Sequence, residues 1–383
     1  MKILSYSLAL FLLTLALSCT QLEDYDCQGR TDFPTTSLVD NETAADISAL
    51  ICNSINEEDI PAIQITIVDS LGTAWNLTTG STDKKRTIPA TDDHVFRLAS
   101  VTKPFVAALT FKLIEEGYFT LDTKVAEYFP ESSAIENVTI AHLLDHSSGI
   151  KDLLTLPDVL LTSTSNTTKV WDPNRIAEVV LNDALQFDPG TDHRYSNSNY
   201  LLLGLIANEV TGEELHLLLR EYLFEPLGLS GFTFHPVENS PENLVHGYDK
   251  KLIPKPGFYE LTPENTSFSS AAYASGNLMA TSETTALFFH HLFDGQLLTD
   301  TSLDQMATFS TGANPRNEFL SEFGSGLFQY TLNGEVYVGH EGQFIGFDNI
   351  MVYHPLKRIT IVMLANLSTY EKFDLLNEIL LKL

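Results

Sequence analysis

Val95-Phe96-Arg97-Leu98-Ala99-Ser100-Val101-Thr102-Lys103-Pro104 reads as a short apolar approach that turns at Ser100 straight into an amphipathic helix over 101–116. Pro104 falls in the first helical turn, where its missing N–H costs nothing. Ser100 and Lys103 stand three apart and share one helix face, about 5–6 Å between Cβ atoms. The helix N-terminus favours negative charge developing at Ser100. A lysine held there among apolar walls and other cations loses proton affinity and can help deprotonate the hydroxyl. The same spacing recurs at Ser81-Thr82-Asp83-Lys84, but in a polar turn with no helix behind it, so context selects Ser100. Taken alone, such a tetrapeptide is more often a capping serine and a surface lysine.

Two further elements carry chemistry. Tyr195-Ser196-Asn197 is the only Tyr-x-Asn among 14 tyrosines; Asp188-Pro189-Gly190 precedes it and an apolar helix over 199–211 follows. A phenol near cations can ionise below its free pKa of about 10 and act as a base. Asn197 offers an amide for a substrate carbonyl. The other element is His340-Glu341-Gly342, on a strand that begins at Val336. Strand alternation sends His340 and Gly342 to one face. Gly342 is expected to leave room for a substrate along the strand edge, and the N–H of Gln343 can donate to an oxyanion.

Outward from these elements, the chain organises as an α+β protein. A helix over 43–55, capped by Asn41 or Thr43, leads to a hairpin of strands at 62–68 and 73–77. Helical stripes fill the middle, at 101–116, 139–146, 173–182 and 199–211. Strands return at 323–332, 336–338, 349–354 and 359–364, before a closing helix at 370–383. Strands at both ends with helices between predict an antiparallel sheet flanked by helices. The expected sheet layer is 43–99 with 275–383, and the helical region 100–274, together one domain over 43–383.

The chain has 383 residues, 50 Asp and Glu against 22 Lys and Arg, and a formal charge of −28. With no basic face to neutralise phosphates, a nucleic-acid partner is not expected. Residues 1–18 read as a signal peptide, because the apolar run 8–17 is too short to span a bilayer. Ala16-Leu17-Ser18-Cys19 is similar to a bacterial lipobox. Lipidation at Cys19 is favoured over ordinary cleavage after Ser18, and either reading exports the protein, lipid-anchored in the envelope or secreted. Residues 19–42 read as a polar tether. In an oxidising compartment Cys27 and Cys52 either pair or remain two thiols.

The three elements, in this order, resemble the active-site set of the serine β-lactamase-like superfamily, in its branch of class C β-lactamases, DD-peptidases and related esterases. Framing segments share the resemblance: Leu143-Leu144-Asp145-His146-Ser147-Ser148-Gly149, Tyr200-Leu201-Leu202-Leu203-Gly204 and Ala274-Ser275-Gly276-Asn277-Leu278. The resemblance covers about 46–383. It implies a β-lactamase/transpeptidase-like fold with Ser100 as acylated nucleophile and Lys103 and Tyr195 as the proton-transfer pair. Asn197 would contact the acyl side chain, His340 would support Tyr195, and the N–H groups of Ser100 and Gln343 would form the oxyanion hole. No metal and no organic cofactor is implied. His142 and His146, spaced like zinc ligands, fall in the family's structural turn.

One departure matters. Where β-lactamases and many DD-peptidases carry a hydroxyl residue, Glu341 stands, and a carboxylate there would repel a substrate carboxylate. With His340 in place of lysine, β-lactamase activity is discounted. The expected activity is acyl-enzyme hydrolysis of an amide or ester, of D-alanyl-D-alanine carboxypeptidase, D-aminopeptidase or esterase type. The alternative is a penicillin-binding sensor that acylates without turnover. The chain is read as a monomer whose partners are a small-molecule or peptide substrate and, through the lipid alone, a membrane.

Overall fold

The computed structural model describes residues 25–26, 34–83, 85–250, 259–261, 265–310 and 319–383. The expected signal peptide, Cys19 and Cys27 lie outside the described residues. Cys52 is disulfide-bonded, and its partner also lies outside them.

The first helix, Asn41–Glu57, starts earlier than its apolar stripe suggests, because the Asp40 carboxylate accepts from the Thr43 N–H and caps it. Its buried face (Ala44, Ile47, Ile51, Ile55) packs with the closing helix Lys372–Leu380 on one side of the sheet. Twelve strands are found among the described residues: β1 Ala62–Val68, β2 Ala74–Gly80, β3 Phe96–Arg97, β4 Thr233–Phe234, β5 Gly247–Asp249, β6 Tyr259–Leu261, β7 Leu278–Ala280, β8 Leu320–Phe323, β9 Phe328–Leu332, β10 Glu335–Phe344, β11 Phe347–His354 and β12 Ile359–Ala365. Seven form one antiparallel sheet, ordered β2-β1-β12-β11-β10-β9-β8. Joining the two ends of the chain, β1 pairs with β12, Ile65 opposite Met363. Both strands are buried along their whole length, as strands covered on two faces are, and the polar Gln64 and Thr66 of β1 find partners in the layer above.

On the other face, helix Ser282–Phe293 lies across β1 and β12. Ser282 fastens it, its N–H donating to Gln64 Oε1 at 2.6 Å and its hydroxyl meeting Thr66 Oγ1 at 2.7 Å. The helical region packs beyond it, with Phe105 at its centre. That ring stacks on Phe288 at 4.1 Å and meets Phe232 and Phe289 edge-on. Burying such a ring contributes about 2–3 kcal/mol, and here it fixes the helix Thr102–Glu115 that begins beside Ser100.

The expected strand 323–332 is in fact two. It breaks at 324–327, where Gly326 adopts φ +70°. A Cβ there would stand 2.7 Å from Ala107 Cβ and 2.8 Å from the Tyr200 hydroxyl. Only glycine lets the turn press this close to the nucleophile's helix. No helix among the described residues is long and apolar enough to cross a membrane.

Candidate active site

Ser100 sits in a 3₁₀ turn, Ala99–Val101, that runs into helix Thr102–Glu115. Ala99 holds φ 52°, a left-handed conformation that costs a residue with a Cβ about 1–2 kcal/mol. The surroundings enforce it. The Leu98 N–H donates to Leu278 O at 2.9 Å, Leu278 N–H donates to Thr102 Oγ1 at 3.2 Å, and Asn349 Nδ2 donates to Arg97 O at 2.9 Å.

Lys103 is completely buried. Its ammonium donates to Ser100 Oγ at 3.0 Å, Asn197 Oδ1 at 2.8 Å and the Ser275 carbonyl at 2.7 Å. Three donors thus meet three acceptors, the condition for burying a lysine. The Tyr195 hydroxyl donates to Ser100 Oγ at 2.8 Å, and Lys103 Nζ lies 4.8 Å from the Tyr195 ring centroid. Residues 95 apart in sequence therefore converge on one oxygen. Ser100 and Asn197 open onto a cavity of about 360 Å³ together with Asp249, Gln343, Phe344 and Ser368.

The remaining expected residues are placed as follows. Asn197 is fully engaged by protein: beyond Lys103, its Nδ2 donates to the Asp152 carboxylate at 3.1 and 3.2 Å. Sequence reading missed Asp152; its partner is 45 residues away, and no periodicity or spacing announces such a contact. His340 is buried, stacked on Phe328 at 4.2 Å, its ring 6.2 Å from that of Tyr195. His146 underlies Tyr195 more closely, at 4.5 Å, and accepts from the Ser196 N–H at 3.3 Å. His142 instead accepts from the Thr139 N–H at 3.2 Å, so the two histidines serve separate backbone sites. Among the described residues no group of His, Cys, Asp and Glu could hold a metal ion.

Two expectations need correction. A Cβ at Gly342 would stand 2.3 Å from the Leu98 carbonyl and 3.1 Å from the Val101 nitrogen. The space beside Gly342 is therefore filled by the nucleophile's own turn, not left for substrate. Glu341 does not line the cavity: its carboxylate pairs with Lys372 at 3.0 Å, and Lys372 also binds Asp348. Repulsion of a substrate carboxylate by Glu341 therefore loses its basis, since the charge is neutralised within this buried cluster.

The cluster carries two carboxylates on one ammonium, and burial pushes Asp348 up to about 7 although Lys372 pulls it down. The folded protein thus holds this proton more tightly than the unfolded chain, where the group titrates near 3.8. Its stabilising contribution is complete below about pH 4 and is lost as pH rises through about 7. Asp348→Asn should remove that loss. Wild-type Tm is expected to fall relative to the variant between pH 5 and 8, and parallel Tm curves would contradict the assignment.

Residues 47–383 match the beta-lactamase family. The chain belongs to that family and has the fold of its β-lactamase/DD-peptidase-like serine-hydrolase superfamily. Protein flp of Staphylococcus aureus is 26% identical over 341 residues, 86% of this chain and 64% of that protein, so the chain spans under two thirds of its curated relative. The D-amino acid amidase from Ochrobactrum anthropi SV3, complexed with D-phenylalanine, superposes with a TM-score of 0.80 at 24% identity, covering 89% of this chain and 98% of that one. The octameric penicillin-binding protein homologue from Pyrococcus abyssi gives 0.74 at 26% identity, covering 85% and 74%.

Proposed function

We propose that this protein is a serine hydrolase that forms an acyl-enzyme on Ser100 and cleaves a small amide or ester of a D-amino acid. The observation that carries the reading is the double contact on Ser100 Oγ, 3.0 Å from the Lys103 ammonium and 2.8 Å from the Tyr195 hydroxyl, at the wall of a cavity. With Tyr195 as phenolate, stabilised by Lys103, the phenol oxygen takes the Ser100 proton as Oγ attacks the substrate carbonyl. The same proton returns to the leaving amine or alcohol. The N–H groups of Ser100 and Gln343 hold the oxyanion, and the helix N-terminus adds to its stabilisation. Water then attacks the ester by the reverse proton path. Asn197, bound on both sides by Lys103 and Asp152, acts mainly to position that lysine.

The described lining of the cavity supports a reading of substrate charge. Asp249 is the one ionisable side chain among its described lining residues, which favours a substrate with a free ammonium over one with a carboxylate. D-phenylalanine, the ligand in the amidase that shares the fold, carries a free ammonium beside its carboxylate; recognition of the ammonium by Asp249 suits a D-aminopeptidase or amidase better than a carboxypeptidase. D-phenylalanine amide is expected to be hydrolysed faster than its N-acetyl derivative. Asp249→Asn should shrink that ratio by about ten-fold or more, the worth of a charge-assisted hydrogen bond, while p-nitrophenyl acetate turnover stays the same. An unchanged ratio would remove Asp249 from recognition. Residues 1–18 as export signal and Cys19 as lipid attachment would place this chemistry in the bacterial envelope.

A further inference from the structure

Gln343 sits on an overhang of the sheet. β9 pairs with β10 only over Glu335–Gly339, so from His340 to Phe344 the strand is held in the sheet by β11 alone. A hairpin of two strands is marginally stable without further support. This one also abuts the nucleophile's turn, where a Cβ on Gly342 would stand 2.3 Å from the Leu98 carbonyl. A shift of the hairpin would move the Gln343 N–H away from the Ser100 N–H, with which it is proposed to share an oxyanion.

The chain after β12 braces the hairpin at three points. Gln343 Nε2 donates to the Ser368 carbonyl at 2.8 Å, and the Gly346 N–H donates to Ser368 Oγ at 2.6 Å. The third point is Lys372, the first residue of the closing helix Lys372–Leu380 and only 6% exposed. Its ammonium pairs with Glu341 on β10 at 3.0 Å and with Asp348 on β11. Glu341 stands two residues before Gln343, and Asp348 lies directly across from Gln343 in the ladder. Strand alternation and cross-strand pairing therefore gather Glu341, Gln343 and Asp348 on one face. A buried ammonium shared by two carboxylates is a weak source of stability, because desolvation offsets the attraction. What it does fix is the spacing of the two strands that carry its partners.

We infer that Lys372 is a positioning residue for the oxyanion hole: through Glu341 and Asp348 it stitches β10 to β11 beside Gln343 and so holds the Gln343 N–H on the substrate's carbonyl oxygen. The inference rests on the acyl-enzyme reading proposed above. Lys372 acts there without touching substrate, from a helix at the far end of the chain.

Single-turnover acylation by p-nitrophenyl acetate, followed by stopped flow over a range of ester concentrations, separates the acylation rate constant from the binding constant. Lys372→Met is expected to lower the rate constant by about ten- to a hundred-fold, the scale of a misplaced oxyanion donor, with binding nearly unchanged. Lys372→Arg, which keeps the charge, should recover most of the rate. Lys372→Met leaves two buried carboxylates unpaired, so it is repeated together with Glu341→Gln and Asp348→Asn; this neutral triple variant should fold and stay slow. Lys382→Met is the control. It removes an ion pair to Asp46, 2.8 Å long, that ties the same end of the chain to the first helix instead, and it should acylate at the wild-type rate. A wild-type rate in the triple variant, an equal loss in Lys382→Met, or a loss confined to binding would overturn the inference while leaving Ser100 as nucleophile. A wild-type chain that gives no burst of p-nitrophenol would overturn the acyl-enzyme reading itself, and the inference with it.

Discussion

Ser100→Ala is expected to abolish both covalent labelling and turnover, a loss of about 10⁴-fold or more by comparison with nucleophile deletions in serine hydrolases. The fold should survive. Ser100 is half-buried and its turn is held by the Leu278 main chain and by the Thr102 and Asn349 side chains rather than by its own hydroxyl. Removing that hydroxyl strips one acceptor from Lys103 and one from Tyr195, which costs about 1–2 kcal/mol. Circular dichroism and Tm close to wild type, with no burst of p-nitrophenol, are the expected pair of results. Wild-type activity in this variant would show that another group is the nucleophile.

Lys103→Met carries the second-largest effect. Methionine fills the volume of a side chain with no exposed surface, but removes the ammonium that holds Ser100 Oγ and lies 4.8 Å from the Tyr195 ring. The acylation rate is expected to fall by about 10²–10⁴-fold, the usual scale of general acid–base assistance. The Ser275 carbonyl and Asn197 Oδ1 each lose a donor, while the cost of burying a charge disappears, so Tm is expected to move less than the rate. A single-turnover measurement with p-nitrophenyl acetate separates acylation from later steps. An unchanged acylation rate at wild-type Tm would take Lys103 out of the mechanism.

Local chemistry explains what was legible in the sequence. Ser100, Lys103 and Tyr195 could be picked out because three short elements, each weak alone, stand at helix entrances or turns in one order along the chain, and the antiparallel sheet because strand-like runs including β1, β11 and β12 lie at both ends of the chain with helices between. What escaped depends on contacts across the fold. Gly326 splits an apparently continuous strand because helix Thr102–Glu115 presses on it. Gly342 yields its space to Leu98, more than 240 positions earlier in the chain. Glu341 looked like a charge aimed at substrate until Lys372, from the closing helix, was seen to hold it. Asp152 has no local signature at all; its contact exists only once Asn197, 45 residues away, brings its amide to it.

The most direct test of the central claim is an intact-mass time course of the soluble chain with p-nitrophenyl acetate and, in parallel, a fluorophosphonate, with the modified peptide mapped. The account predicts a stoichiometric fluorophosphonate adduct on Ser100, and an acetyl adduct on the same residue that forms and clears as p-nitrophenol is released. Failure of both reagents to modify the protein, or an adduct mapping to any residue other than Ser100, would contradict it.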